Sequence, residues 1–194
     1  MPKLKIYNKF LNMNLFTDAE LAIIIKPLVT KKLRKKDIIV NEGEINRNFY
    51  YVNKGLFKAY MTNEQGDKFN IQFFKEDYWM TDINSYITGN GSLTTIECIE
   101  HAEIASYTYA EIEEIMNTNP KIENYFRNLL QNRLISMHKD RFNLISLNAE
   151  QRYIDFVNND QSLAERISQK DIASYLGIFP ESLSRIRRML YIKD

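Results

Sequence analysis

The apolar positions keep a short, strand-like rhythm from Arg34 to Tyr109 and a helical rhythm after Asn119. In the first stretch they fall in five runs: Asp37-Ile-Ile-Val40, Asn48-Phe-Tyr-Tyr-Val52, Gly55-Leu-Phe-Lys-Ala-Tyr60, Phe69-Asn-Ile-Gln-Phe-Phe74 and Leu93-Thr-Thr-Ile-Glu-Cys-Ile99. Their β-branched and aromatic content predicts strands. Asn41-Glu-Gly43, Asn53-Lys-Gly55 and Asn63-Glu-Gln-Gly-Asp67 supply turns between them, spaced as in a small antiparallel barrel or jelly roll. Beyond Asn119-Pro120, the stripe Ile122, Phe126, Leu129, Leu130, Leu134, Met137 and Leu144 predicts one long helix. Ala149-Glu-Gln-Arg-Tyr-Ile-Asp-Phe-Val157 predicts a further one.

The last part of the chain is the most specific. Ile172, Ala173 and Leu176 recur at helical spacing, and Ser168 followed by Asp171 has the arrangement of a capping box. Gly177 suits the left-handed corner at which such a helix stops. A second helix is predicted from Pro180, a residue preorganised for a first helical position, although Phe179 before it brings no capping oxygen. Leu183, Ile186 and Leu190 share one face of that helix, while Glu181, Arg185 and Arg188 share the other. By pattern alone this is either an amphipathic helical hairpin with a solvated charged face or a helix-turn-helix that meets DNA.

The residues Ser168-Gln-Lys-Asp-Ile-Ala-Ser-Tyr-Leu-Gly-Ile178 through Pro180-Glu-Ser-Leu-Ser-Arg-Ile-Arg187 resemble the helix-turn-helix of the Crp/Fnr transcription regulators, especially the shorter bacterial members. The strand-rich stretch is similar to that family's cyclic-nucleotide-binding β-roll, with Gly43 and Gly55 at its corners. Phe10 to Ile25 then looks like its leading helical segment, and Tyr109 to Met116 like its closing helix. The fold class implied is α+β: a double-stranded β-helix or jelly-roll sensor over residues 1–117, a long dimerisation helix over 118–145 and a helix-turn-helix domain over 146–194. Asp194 leaves room for only a truncated wing, or none, after the recognition helix.

The resemblance also implies roles. Arg185 would pair with the O6 and N7 of a guanine, and Glu181 would accept from a cytosine amine. Ser168, Gln169 and Ser182 would contact phosphates, helped by Lys170, Arg187 and Arg188. Pro180 stands where the family's best-known activator has an arginine. Phe126, Leu130, Leu134 and Met137 would pair across a homodimer axis, or else pack on their own barrel. Double-stranded DNA with an inverted-repeat operator and RNA polymerase are the implied partners.

Charge and chemistry narrow this picture. With 26 Lys and Arg against 25 Asp and Glu, the formal net charge is +1, so DNA affinity must come from local placement of charge. The region matching the family's cyclic-nucleotide cassette, Glu76 to Ile96, contains no arginine, and none occurs between Arg47 and Arg127. A buried cyclic phosphate needs such a cation. Trp79, Asp82, Ser92, Thr94 and Thr95 remain as a candidate effector pocket, and cyclic AMP is not expected to bind in the usual way. Gly89-Asn-Gly91 is either an anion-binding turn or a plain loop.

Cys98 is the single cysteine, which excludes disulfides and multi-cysteine iron–sulfur ligation within one chain and suits a buried, inert thiol. His101 and His138 belong to no metal-ligand pattern, and no metal or cofactor is implied. No apolar run approaches the roughly 20 residues of a membrane span, and the N-terminus lacks signal-peptide order, so cytoplasmic residence is expected. No nucleophile motif or phosphate-binding glycine loop appears, so an enzyme is not expected. The competing reading is a small-molecule or cyclic-nucleotide binding module that signals through protein partners.

Overall fold

The computed structural model describes residues 5–191. The chain forms two compact units, one of residues up to Met61 with Phe73–Leu130, the other of Thr62–Gln72 with the chain from Gln131 onward. In order, the elements are α1 (Lys5–Asn12), α2 (Asp18–Ile25), β1 (Val29–Leu33), β2 (Ile38–Val40), β3 (Asn48–Lys54), β4 (Phe57–Thr62), β5 (Lys68–Phe74) and β6 (Trp79–Met80). There follow α3 (Ile83–Thr88), β7 (Thr95–Cys98), β8 (Ala102–Thr108), α4 (Tyr109–Thr118) and α5 (Pro120–Ser146). The C-terminal elements are α6 (Ala149–Asn159), α7 (Gln161–Arg166), α8 (Gln169–Tyr175) and α9 (Pro180–Tyr191).

Two four-stranded antiparallel sheets, ordered β1-β8-β3-β6 and β2-β7-β4-β5, make the roll. Strand alternation sorts β3 onto two cores. Tyr50 and Val52 enter the roll interior with Leu33, Phe57, Phe74, Met80, Ile96, Cys98 and Ile104. Phe49 and Tyr51 point the other way, into a second cluster with Ile6, Phe10, Leu21, Ile24, Tyr107, Ile112, Ile122 and Phe126 from the flanking helices. With both faces covered, β3 reads as an almost unbroken apolar run.

Local chemistry sets the ends of these elements. Thr17 and Thr108 each form a capping box, with Glu20 and Glu111 respectively. Gly55 turns the β3–β4 corner at φ +100°, where a Cβ would lie 2.6 Å from the Ala102 Cβ. Gly89 ends α3 in the left-handed conformation, and at Gly91 a Cβ would lie 2.6 Å from the Gly43 carbonyl oxygen. Both glycines of the Gly89-Asn-Gly91 turn therefore have backbone duties.

Three strands lie outside the five predicted from pattern: β1, β6 and β8. β1 exposes four of its five residues and carries two lysines, and β6 is only two residues long. The compact units also depart from the boundaries expected at 117/118 and 145/146. The long helix is shared between them at Leu130, and the end of the β4–β5 hairpin groups with the C-terminal helices. The question of a wing after the recognition helix falls on residues 192–194, which lie outside the described residues.

Candidate nucleic-acid interface

Within the second unit, α8 and α9 form a helix-turn-helix whose corner is fixed by hydrogen bonds. The Ser168 hydroxyl caps α8 by accepting from the Asp171 amide at 3.1 Å, and donates to the Asp171 carboxylate at 2.7 Å. At the other end, the Ile178 amide donates to the Ala173 carbonyl at 3.0 Å and the Gly177 amide to the Ser174 carbonyl at 3.2 Å. That pair of bonds is a Schellman stop, and Gly177 takes the left-handed position it demands, at φ +65°. Pro180 then opens α9, and the Leu183 amide reaches back to the Phe179 carbonyl at 3.1 Å.

Ile172, Ala173, Leu176, Leu183 and Ile186 are buried, and they hold the two helices together. Fully buried Ala173 leaves room for the close crossing. Phe156 of α6 packs on Tyr175 with ring centroids 5.5 Å apart. On α9 the opposite face is open: Glu181, Arg185 and Arg188 are all exposed, with Arg185 one turn beyond Glu181. Ser168, Gln169 and Lys170 are exposed on the first turn of α8, whereas Ser182 and Arg187 are half-buried.

Sequence reasoning missed a set of contacts to the back of this motif. Asn70, on the β5 edge, donates from its side chain to the Asp171 carbonyl at 3.1 Å and to the Asp171 carboxylate at 2.9 Å. The Asn70 amide donates to the Ser174 hydroxyl at 2.9 Å, and that hydroxyl donates to the Lys68 carbonyl at 3.0 Å. These partners stand about a hundred residues apart in the chain, so no local signal announces them. Asp171, which accepts the Ser168 hydroxyl at the start of α8, thereby serves both its own helix and the hairpin.

The candidate effector residues divide. Asp82 caps α3 through the Ser85 amide at 2.9 Å, and its other oxygen accepts from the Leu93 amide at 3.1 Å and the Thr94 hydroxyl at 2.8 Å. The Ser92 hydroxyl donates to the Thr94 carbonyl, and Thr95 accepts from the Glu42 amide. These polar atoms close loops and contain no cation among themselves. Trp79 is not with them: strand alternation turns it into the helix-covered cluster, where it stacks on Phe49 and donates to the Tyr125 hydroxyl at 2.8 Å. Arg47, just outside the cassette, lies over the Tyr109 ring at 3.8 Å and donates to the Tyr86 carbonyl.

The expected dimer-helix residues divide as well. Phe126 is taken into the core of its own chain against Trp79 and Phe49, so it is removed from the exposed stripe. Leu130, Leu134 and Met137 stay exposed, as do Ile135, Phe142, Leu144 and Ile145 further along α5. Cys98 is buried in the roll, where burial first and then the carboxylates of Asp37, Glu97 and Glu100 push its thiol up to about 12. Among the described residues, no group of His, Cys, Asp and Glu could hold a metal ion, and no helix is long and apolar enough to cross a membrane.

The described elements thus make a β-roll, a long helix and a C-terminal helix-turn-helix. Comparison with known proteins agrees. Residues 30–119 match the cyclic nucleotide-binding domain family. The chain is 24% identical over 172 residues to the fumarate and nitrate reduction regulatory protein of Vibrio cholerae, covering 80% of this chain and 66% of that protein. It thus spans slightly less than two thirds of that relative's length. It is 19% identical over 184 residues to the cAMP-activated global transcriptional regulator CRP of Salmonella typhimurium, covering 90% of this chain and 88% of the other. Among solved structures, FixK2 from Bradyrhizobium japonicum superposes with a TM-score of 0.76 at 18% identity, covering 86% of this chain and 85% of its own. The global regulator CLP of Xanthomonas campestris gives 0.73 at 14% identity, covering 91% and 93%. These solved structures show that the chain has the fold of those regulators.

Proposed function

We propose that the protein is a sequence-specific, DNA-binding transcription regulator that acts in the cytoplasm as a homodimer. The observation that carries this reading is the sorting of α9: Leu183 and Ile186 are buried against α8, while Glu181, Arg185 and Arg188 face solvent. Arg185 reads a guanine by paired hydrogen bonds, and Glu181 accepts from a cytosine amine one turn away. Ser168, Gln169, Lys170, Ser182, Arg187 and Arg188 set register on the phosphates.

Exposed Leu130, Leu134 and Met137, with Leu144 seven residues after Met137, have the spacing of a coiled-coil seam and support pairing of α5 across a two-fold axis. A dimer places two readers one helical turn apart, roughly 34 Å, and so selects an inverted repeat. Contact with RNA polymerase goes with this role.

Cyclic AMP is not the signal by the usual route. The cassette position offers the buried carboxylate of Asp82 and hydroxyls already bonded to protein, and the Arg47 guanidinium beside it is engaged by the Tyr86 carbonyl and the Tyr109 ring, so a cyclic phosphate brought there would meet like charge. A ligand of different chemistry, or none, sets the population of DNA-competent dimers.

Selection of bound genomic DNA fragments, with and without cell metabolites, tests the whole reading. Enrichment of an inverted repeat is the expected result. Recovery of no enriched sequence under either condition would favour a binding module that works through protein partners. Millimolar cyclic AMP should leave both the selection and the melting temperature unchanged.

A further inference from the structure

The residue just ahead of α9 breaks two local rules at once. Phe179 is 78% exposed, and no other large apolar side chain among the described residues is more so. It also holds the N-cap position of α9, where Ser, Thr, Asp or Asn would accept from an open amide and a phenyl ring cannot. Both departures act against the folded chain, one by wetting an aromatic ring and the other by leaving the first turn without a side-chain cap. Such departures from local consistency collect where a side chain serves a partner.

The backbone around Phe179 is held on both sides, within the second compact unit. Before it, the Ile178 amide donates to the Ala173 carbonyl at 3.0 Å, and the Ile178 side chain is half-buried. After it, Pro180 fixes the entry to α9, and the Leu183 amide donates to the Phe179 carbonyl at 3.1 Å. Leu183 is fully buried against α8, so the Phe179 ring, one turn earlier, stands in solvent by contrast with it. A fixed backbone thus presents an unsupported aromatic ring.

We propose that Phe179 is a specificity-determining residue that packs on the C5-methyl group of a thymine in the major groove. The inference rests on the reading of α9 as the helix that enters the groove. A helix so placed presents its N-terminal residues to the base edges, and Phe179 stands two residues ahead of Glu181. The base edges there offer one apolar group, the thymine methyl, and a phenyl ring is among the side chains that meet it. Cytosine lacks that methyl, so the contact separates T·A from C·G without a hydrogen bond. A phosphate offers a phenyl ring nothing, which sets Phe179 apart from Ser168 and Gln169. Pro180, also exposed, has no amide hydrogen to donate, so recognition at this end of α9 is apolar.

Equilibrium binding of the full chain to a duplex that carries the inverted repeat recovered by genomic selection tests the proposal, with each thymine replaced in turn by deoxyuridine. That swap removes one methyl and keeps every base-pair hydrogen bond. At one thymine position in each half-site it should weaken binding about fourfold, the effect of burying one CH₂ group. In Phe179→Ser the loss at that position should vanish, and affinity for the thymine duplex should fall by at least about the same factor. The melting temperature of that variant should rise, because serine restores the cap. Phe179→Leu, which keeps an apolar tip, should retain the loss at that thymine. An inverted repeat bound equally with and without its methyls would overturn the contact and leave the reading of α9 standing. So would a loss that persists unchanged in Phe179→Ser. Recovery of no inverted repeat would overturn the reading of α9 itself, and this contact with it.

Discussion

At Gly55, one missing side chain decides a corner of the roll. Any Cβ there meets the Ala102 Cβ at 2.6 Å and the Ala102 Cα at 2.7 Å, and φ +100° is a conformation that other residues avoid. Gly55→Ala should cost more than about 1 kcal/mol, read as a lower melting midpoint with the fold retained. Cys98 has the opposite character, being buried and held protonated. Its alkylation by iodoacetamide at pH 8 should be negligible in the native protein and rapid after unfolding, as mass spectrometry would report. On the proposed reading face, Arg185→Ala should lose about 1 to 3 kcal/mol at the cognate guanine and relax the preference there. An equal loss on all DNA sequences would make Arg185 a phosphate contact instead.

At the scale of elements, legibility depends on where a segment finds its partners. The α8–turn–α9 unit is readable because its cap, its stop and its start lie within a few residues of the groups they satisfy. β1 and β6 are not readable in that way. Lys31 and Lys32 of β1 sit on a strand only because they pair with Ile104 and Glu103 of β8. The same distance in sequence hides the hold of β5 on α8. Asn70→Ala removes both side-chain bonds to Asp171 and should cost about 1 to 3 kcal/mol. In hydrogen exchange, the amides of α8 should then exchange faster, while those of β3 and β8 stay protected.

For the molecule as a whole, the proposed homodimer rests on the exposed apolar residues of α5. Leu134 is 57% exposed, and a charge at a coiled-coil seam is opposed by desolvation. Leu134→Glu should therefore convert a dimer to a monomer by light scattering, abolish binding to an inverted repeat and leave the monomer fold intact. A wild-type protein that is monomeric at micromolar concentration would remove this account of operator recognition.

The amino-acid sequence by itself determined those features whose physics is local: the strand-and-turn texture of the roll, the helical rhythm after Asn119, the capped and glycine-stopped helix-turn-helix, and the lack of a cation in the cassette. It also placed Glu181 and Arg185 on a common helix face, because helical spacing alone does that. Only the tertiary structure decided which of two faces buries each apolar residue. Trp79 and Phe126 satisfy the same pattern as their neighbours, yet both are drawn into the helix-covered core. Only the tertiary structure, too, brought Asn70 to Asp171 and left the buried amide of Asn53 without a partner. Long-range packing chooses among side chains that are equivalent by local propensity, and hydrogen-bond satisfaction is a property of neighbours in space, which sequence order does not record.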